Sequence, residues 1–430
     1  MDAAYATDRA GESGLAFDTP VVLRSSRDLL AAVPYLLGFR PRECVVVVAV
    51  TGEGRVGLVV RTGPADRGEA SGGDVAERWG RTDVVARAVA GVGARLALVV
   101  LYTASPPDQA RAREAAGVAA LAESLGPAVD VEAWLVGPDG YRGLDCVDPA
   151  CCPARGRPVG ELEHGEVGAA FVVAGRAVAD TEQEAHRVRA LPASVRDRVA
   201  KAAGRAARAR EAAGDTTRAA PRGTARDELG HWRAEAYGVW CDLVRQAAAE
   251  LRTCPDGDVE LPAARLGRLA VALADVRVRD AVLLSLVPGA REAADRTAGA
   301  GGDAAVTRDV EAATARAIAR VVDPRVGVPP DGATADAARL VLEQLVGGAP
   351  RRWHAPPLAL LGFLAWWRGD GWLAARRVRE SARQDPTYRL AALVAGVLEA
   401  AVPPGWVSAA RGPAVEGASG AVGVTWPTVG

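Results

Sequence analysis

Leu96-Ala-Leu-Val-Val-Leu-Tyr102, Ser105-Pro106-Pro107-Asp108 and Val129-Asp-Val-Glu-Ala-Trp-Leu-Val136 follow one another along the chain, and together they decide its fold. The first is an unbroken run of strand-forming apolar residues, the pattern of a strand covered on both faces. The third alternates at the two-residue period of a strand. Between them, Ser105 precedes Pro at the first helical position and Asp at the third, which is the chemistry of a capped helix start, and the helix is predicted to run to about Leu125. Strand, helix and strand in this order make a βαβ unit with parallel strands and a right-handed crossover.

Upstream, Val21-Val-Leu-Arg24 reads as a short strand. Ser25 caps a helix whose third position, Asp28, completes a capping box. Leu29, Leu30, Val33, Leu36 and Leu37 give that helix an apolar stripe, Gly38 suits a left-handed C-terminal cap, and Pro41 stops it. Cys44-Val-Val-Val-Val-Ala-Val50 is a second buried strand, and Gly52-Glu-Gly54 turns it into Val56-Gly-Leu-Val-Val-Arg61 as a hairpin. A Gly-rich loop at 63–74 and a helix near 75–91 lead into the βαβ unit. Residues 18–185 are thus expected to form an α/β domain with a mixed sheet, preceded by a flexible tail at 1–17.

The character changes near residue 186. In the stretch 186–226, ten Arg and Lys201 face only Asp197, Glu211 and Asp215, and the segment reads as a basic, Ala/Arg-rich helical linker. No strand signal recurs beyond it. Residues 227–411 carry helical periodicities, among them Trp232, Tyr237, Trp240, Leu243 and Val244, broken by Gly-rich segments at 298–302 and 327–332, and 412–430 read as a flexible tail.

A formal net charge of −1 argues against a chain basic throughout, and a single lysine among 52 basic residues marks the arginine as compositional bias of a GC-rich genome. The basic stretch lacks interleaved aromatics, so nucleic acid is not an expected partner. The N-terminus has no basic start and apolar core of a signal peptide, and no uncharged apolar run reaches membrane-spanning length, so a cytoplasmic protein without membrane contact is expected.

Three features carry candidate chemistry. Cys146, Cys151 and Cys152 gather in one short span flanked by Pro149, Pro153 and Gly156, and three readings stand open. These are a loop that thiols merely pack, a zinc site with His164 or Asp145 as fourth ligand, and a redox or nucleophilic centre. No cofactor is required by the sequence, and zinc is the alternative. Cys44, Cys241 and Cys254 read as packing residues. Thr103, Ser105 and Asp108 stand at the carboxyl end of a parallel strand, where open α/β sheets bind ligands, although a capped helix start explains Ser105 and Asp108 equally. Gly52-Glu-Gly54-Arg-Val-Gly57 matches G-x-G-x-x-G, but a strand continues where a dinucleotide site needs a helix, so the motif reads as a turn. His164, His186, His231 and His354 form no metalloprotease motif.

In the second half, residues 356–400 hold a pattern like one tetratricopeptide unit. Leu361-Gly362 stands at the helix contact, Gly369-Asp370 at the turn, Ala374 at the close crossing, and Asp385-Pro386 closes the unit before Tyr388. A protein partner is expected through these C-terminal helices. A single hairpin packed into a helical domain fits the same residues.

The segments Asp28-Leu-Leu-Ala-Ala-Val-Pro34-Tyr35-Leu-Leu-Gly38-Phe39-x-Pro41, Cys146-x4-Cys151-Cys152-Pro153-x2-Gly156 and Gly369-Asp370 through Asp385-Pro386-x-Tyr388 resemble the family termed domain of unknown function 4192, met chiefly in actinobacteria. The resemblance spans about 20 to 410 and implies continuity of fold without naming an activity, substrate or cofactor. The residues support a partner-binding or regulatory protein whose α/β half carries a small-ligand site. The alternative is an enzyme that joins the cysteine loop to the 103–108 loop.

Overall fold

The computed structural model describes residues 5–7, 21–62, 79, 82–105, 107–138, 140–174, 176–219, 225–253, 259–299, 304–400 and 402–409. The expectations at 63–74, Pro106, Cys254 and 412–430 lie outside the described residues, as do the side chain of Asp108 and most of 1–17.

The hairpin β3 (Cys44–Thr51) and β4 (Val56–Thr62) and the strands β5 (Ala94–Tyr102), β6 (Asp130–Val136) and β7 (Tyr141–Gly143) form one sheet in the order β4-β3-β5-β6-β7. Only β5 and β6 run parallel, with Leu96 opposite Asp130 and Tyr102 opposite Val136. The other neighbours are antiparallel. Alternation along the strands builds two cores. Val46, Val48, Leu98 and Val100 pack under the Ser26–Leu37 helix with Phe171, while Val45, Val47, Val99 and Leu101 pack under the Thr82–Gly91 and Pro107–Leu125 helices through Val89 and Leu121. Each fully buried Val or Leu contributes about 1.5–3 kcal/mol of transfer free energy. Both faces being covered explains why β3 and β5 read as continuous apolar runs. Within the span read as a tail, β1 (Tyr5–Thr7) pairs antiparallel with β2 (Val21–Leu23).

The Ser26–Leu37 helix starts and ends where its sequence dictates. Ser25 Oγ accepts from Asp28 N at 3.2 Å, and the Asp28 carboxylate accepts from Arg24 N at 2.7 Å, one residue upstream of an ordinary capping box. Gly38 has φ +77°, the left-handed value that a Cβ would strain. The G-x-G-x-x-G segment lies in the β3–β4 hairpin, in agreement with its reading as a turn.

Apart from a single parallel β-bridge between Ala179 and Phe39, the described residues after Val173 are helix and connection. Ala193–Ala219 is integral to this part: Val195, Val199, Ala202 and Ala203 are buried, and a Cβ on Gly267 would come within 2.6 Å of Ala202 Cβ, so the stretch read as a linker is packed closely against Ala263–Ala272. All residues of Ala355–Trp367 are buried, which makes this helix the axis of the helical half. It meets Gly371–Gln384 where a Cβ on Gly362 would stand 2.8 Å from Val378, the close crossing that the small residues forecast. No helix among the described residues is long and apolar enough to cross a membrane.

Candidate functional site

The segment Phe39-Arg40-Pro41-Arg42-Glu43 leaves the left-handed cap at Gly38 and enters β3 opposite the carboxyl end of β5, where Cys44 pairs with Tyr102. It is pinned from below, because Ala179 N donates to Gly38 O and Arg40 N donates to Ala179 O, both at 3.0 Å. Glu43 has φ +46°, a left-handed conformation unusual for a residue with a side chain and the kind of strain that collects at binding sites. Its carboxylate accepts from Ala104 N and so ties the entry to β3 to the exit of β5.

These segments enclose a cavity of about 500 Å³ at the carboxyl ends of β5 and β6. Leu30, Pro34, Tyr35, Tyr102, Val136 and Leu162 supply its apolar wall, and Thr103, Arg40, Arg42, Glu43 and Glu163 its polar one. Tyr35 is held by stacking on Phe171, with centroids 5.0 Å apart. Burial raises the Tyr102 phenol far above its ordinary range, so it remains a neutral donor. Arg40 pairs with Glu163 and lies 3.7 Å from Asp180. Arg42 is exposed and pairs with no carboxylate among the described residues.

Of the residues expected at this edge, Thr103 lines the cavity, with its N donating to Val136 O at 3.0 Å and its Oγ1 accepting from Ser105 N at 3.0 Å. Ser105 is not part of the wall, and Asp108 lies in the first turn of the Pro107–Leu125 helix. Pro34, Tyr35 and Pro41 turn out to be wall residues, whereas Phe39 faces away and contacts Trp372 at 5.9 Å and His186 at 5.8 Å. Arg42, Glu43, Tyr102 and Glu163 were missed. The clue available was two charged residues placed between Pro41 and a wholly apolar strand.

The cysteine loop is a separate feature. Leu144 N donates to Ala133 O at 2.8 Å, which starts the loop beside the middle of β6, and none of its cysteines lines the cavity. The three Sγ atoms lie within 4.8 Å of one another, and Asp145 and His164 are not in that group. His164 Nδ1 instead faces Gly160 O at 3.0 Å. The loop is braced by its own backbone: Cys152 N donates to Asp148 O and Gly156 N to Pro153 O at 2.8 and 2.7 Å. Gly156 takes φ +80°, where a Cβ would stand 2.8 Å from Tyr141 N, so this turn requires glycine. A backbone hydrogen bond at Asp148 draws the Cys146 thiol below its ordinary value, while burial pushes Cys152 up to about 11. Cys44 is also raised, chiefly by burial in β3, as a packing thiol should be.

The remaining expected residues brace helices. Asp370 accepts from Leu373 N at 2.8 Å, Asp385 accepts from Thr387 N at 2.9 Å, Gly369 turns the chain at φ +85°, and Tyr388 starts the Arg389–Glu399 helix beneath the Arg279 guanidinium, 5.7 Å from its ring.

The sequence model of a family described as domain of unknown function (DUF4192) matches residues 27–405. No curated protein and no solved structure matches the chain.

Proposed function

The chain belongs to the domain of unknown function 4192 family, and on that premise we propose that it is a regulatory protein that binds a small organic anion in the α/β half and reads out binding through its helical half. One observation carries the ligand. The cavity joins an apolar wall of drug-like dimensions to a guanidinium, Arg42, that no described carboxylate neutralises. A ligand with a compact apolar or aromatic body and one carboxylate or phosphate satisfies both sides. The Tyr102 donor adds a polar contact at the strand ends, while Glu43, tied to Ala104 N, holds the entry to β3 in place.

Phe39 supports the readout. It belongs to the cavity-forming segment yet packs on Trp372 at the start of Gly371–Gln384, so movement of the wall on binding meets the C-terminal hairpin directly. The proposed protein partner docks at those helices, and the proposed setting is the cytoplasm, which the five free cysteines among the described residues support, since thiols persist in a reducing compartment.

The test is calorimetric titration of the intact chain with a panel of aryl and alkyl carboxylates and phosphates. At least one should bind with a one-to-one stoichiometry, and Arg42→Ala should weaken it about tenfold or more, the loss of a charge-assisted contact. Binding indifferent to Arg42→Ala and to Leu30→Trp, which fills the cavity, would place the ligand elsewhere.

A further inference from the structure

We propose that Cys146, Cys151 and Cys152 form a three-thiolate site for one soft, thiophilic metal ion. Thiolates select soft ions over hard ones. A metal–sulfur bond of about 2.3 Å places three sulfurs in a trigonal plane about 4.0 Å apart. Cys151 and Cys152 Sγ are already 4.0 Å apart, and all three sulfurs fall within 4.8 Å. Closing the triangle therefore asks for rotations of side chains and not for a new course of the loop. Three sulfurs also meet the demand of a trigonal ion in full, whereas the tetrahedral zinc of a structural site needs a fourth protein ligand that neither Asp145 nor His164 supplies from within the group.

A second observation concerns charge. Arg142, 6% exposed, lies beneath the loop, donating to Cys146 O at 3.0 Å and Ala154 O at 3.3 Å. Its Nε is buried without a hydrogen-bond partner, and no described carboxylate pairs with it. A buried guanidinium that spends its donors on carbonyls alone lacks a counter-charge. Binding of a divalent ion supplies one: three thiols release three protons to solvent, and the resulting tris-thiolate complex carries one negative charge. Gly143 N already donates to Cys152 Sγ at 3.4 Å, an N–H···S contact that favours the thiolate. A Cβ on Gly143 would stand 3.2 Å from Cys146 Cβ, so the glycine admits the sulfurs to the strand edge.

The experiment titrates the reduced full-length protein with Cd(II) under anaerobic conditions. It follows the sulfur-to-metal charge-transfer absorption and counts sulfurs by X-ray absorption. One Cd(II) per chain with three sulfurs is expected. That uptake should be lost in Cys146→Ser, Cys151→Ser and Cys152→Ser, unchanged in Cys241→Ser, weakened about 10–100-fold in Arg142→Gln, and stronger at higher pH. Because a serine variant can fail through misfolding, alkylation of the wild-type protein is mapped by mass spectrometry with and without Cd(II), and all three thiols should be protected together. Protection of only the vicinal pair, two sulfurs in the absorption spectrum, or uptake that survives Cys146→Ser would overturn the three-thiolate site, as would a protein nitrogen or a fourth sulfur on the metal.

Discussion

In the helical half, Asp275 is buried and its partners are complete: Arg233 reaches it through Nε and Nη2, both at 3.0 Å, and Arg277 N donates to it at 3.0 Å as a helix cap. In the α/β half, Arg142 is as deeply buried, yet it meets only carbonyls. The same contrast recurs. Ser381 Oγ donates to Ala355 O at 2.8 Å, and Gln344 braces Val259 and Leu261 with both ends of its amide, whereas Arg42 and the three thiols of the 146–152 loop have capacity left over. Buried polar groups cost free energy until satisfied. A complete partner set marks a brace, and an incomplete one beside a cavity or cluster marks a place for something else. Orphaned buried groups occur in both halves, since Tyr237, Trp353, Arg376 and Tyr388 of the helical half also bury a polar atom without a hydrogen-bond partner. What distinguishes the α/β half is that Arg42 lines a cavity of about 500 Å³ and Arg142 lies beside a cluster of three thiols, so the ligands are assigned there.

The sharpest break of this contrast comes from removing one member of a complete set. Asp275→Ala leaves Arg233 buried without its anion and uncaps the Val276–Ser285 helix, so a loss of about 3–5 kcal/mol is expected in denaturant unfolding. Arg142→Gln, which removes a charge with no anionic partner, should cost far less. Equal losses would remove the distinction between the halves.

The boundary between the halves offers the next effect. His186 lies 5.1 Å from the Trp372 ring, and burial, aided by Arg377 and Arg376, pushes its pKa from 6.5 down to about 4. Folding thus favours the neutral imidazole. Its contribution is fully present above about pH 6.5, is lost as pH falls from there toward 4, and changes no further below that. The loss amounts to about 3 kcal/mol. His186→Phe keeps a ring edge-on to Phe39 and tilted against Trp372 without the titration, so the difference in unfolding midpoint between the two proteins should grow in the variant's favour as the pH falls across that window. A constant difference would show that His186 is not held neutral by the packing of the two halves.

A smaller effect tests the turn that leads into the cavity wall. No atom lies within 4 Å of a Cβ placed on Gly38, so Gly38→Val is resisted by backbone conformation alone, and the cost should be about 1–2 kcal/mol. An unchanged denaturation midpoint would mean that the 39–43 segment can leave the helix by another path.

The contrast also explains what the sequence could disclose. The helix cap at Ser25, the left-handed Gly38, the β3–β4 hairpin and the parallel β5–β6 pair were legible because each rests on local chemistry: a hydroxyl three residues from an amide, a missing Cβ, an apolar run bounded by turns. The Gly362 crossing was legible for the same reason. The cavity was not, since its wall draws on 30–43, 102–104, 136–138, 159–163 and 178, and no period links these segments. Glu43 escaped because nothing in its side chain announces a left-handed backbone. Arg142 and Arg155 were visible in the sequence as the cations beside the cysteine loop, but an arginine in an arginine-rich chain carries little signal, and only its burial singles Arg142 out.

Tyr237 is one of four residues of the helical half, with Trp353, Arg376 and Tyr388, whose orphaned polar atoms strain the contrast, and it carries the smallest expected effect. Its side chain is buried, its hydroxyl has no hydrogen-bond partner, and it borders a cavity of about 310 Å³ lined by Cys241, Asp242, Arg245, Arg291 and Asp295. Burial raises the phenol far above its ordinary range, so ionisation plays no part near neutral pH. If the helical half is scaffold, this hydroxyl is an uncompensated cost, and Tyr237→Phe removes one oxygen while keeping the ring packed. Unfolding in denaturant should then show no change or a gain of up to about 1 kcal/mol, because an unmet buried hydroxyl costs about 1–3 kcal/mol and the ring loses little contact. A loss of comparable size would mean that the hydroxyl has a partner in solution. The cavity around Cys241 would then join Arg42 and the thiol loop as a place where the molecule holds something in reserve.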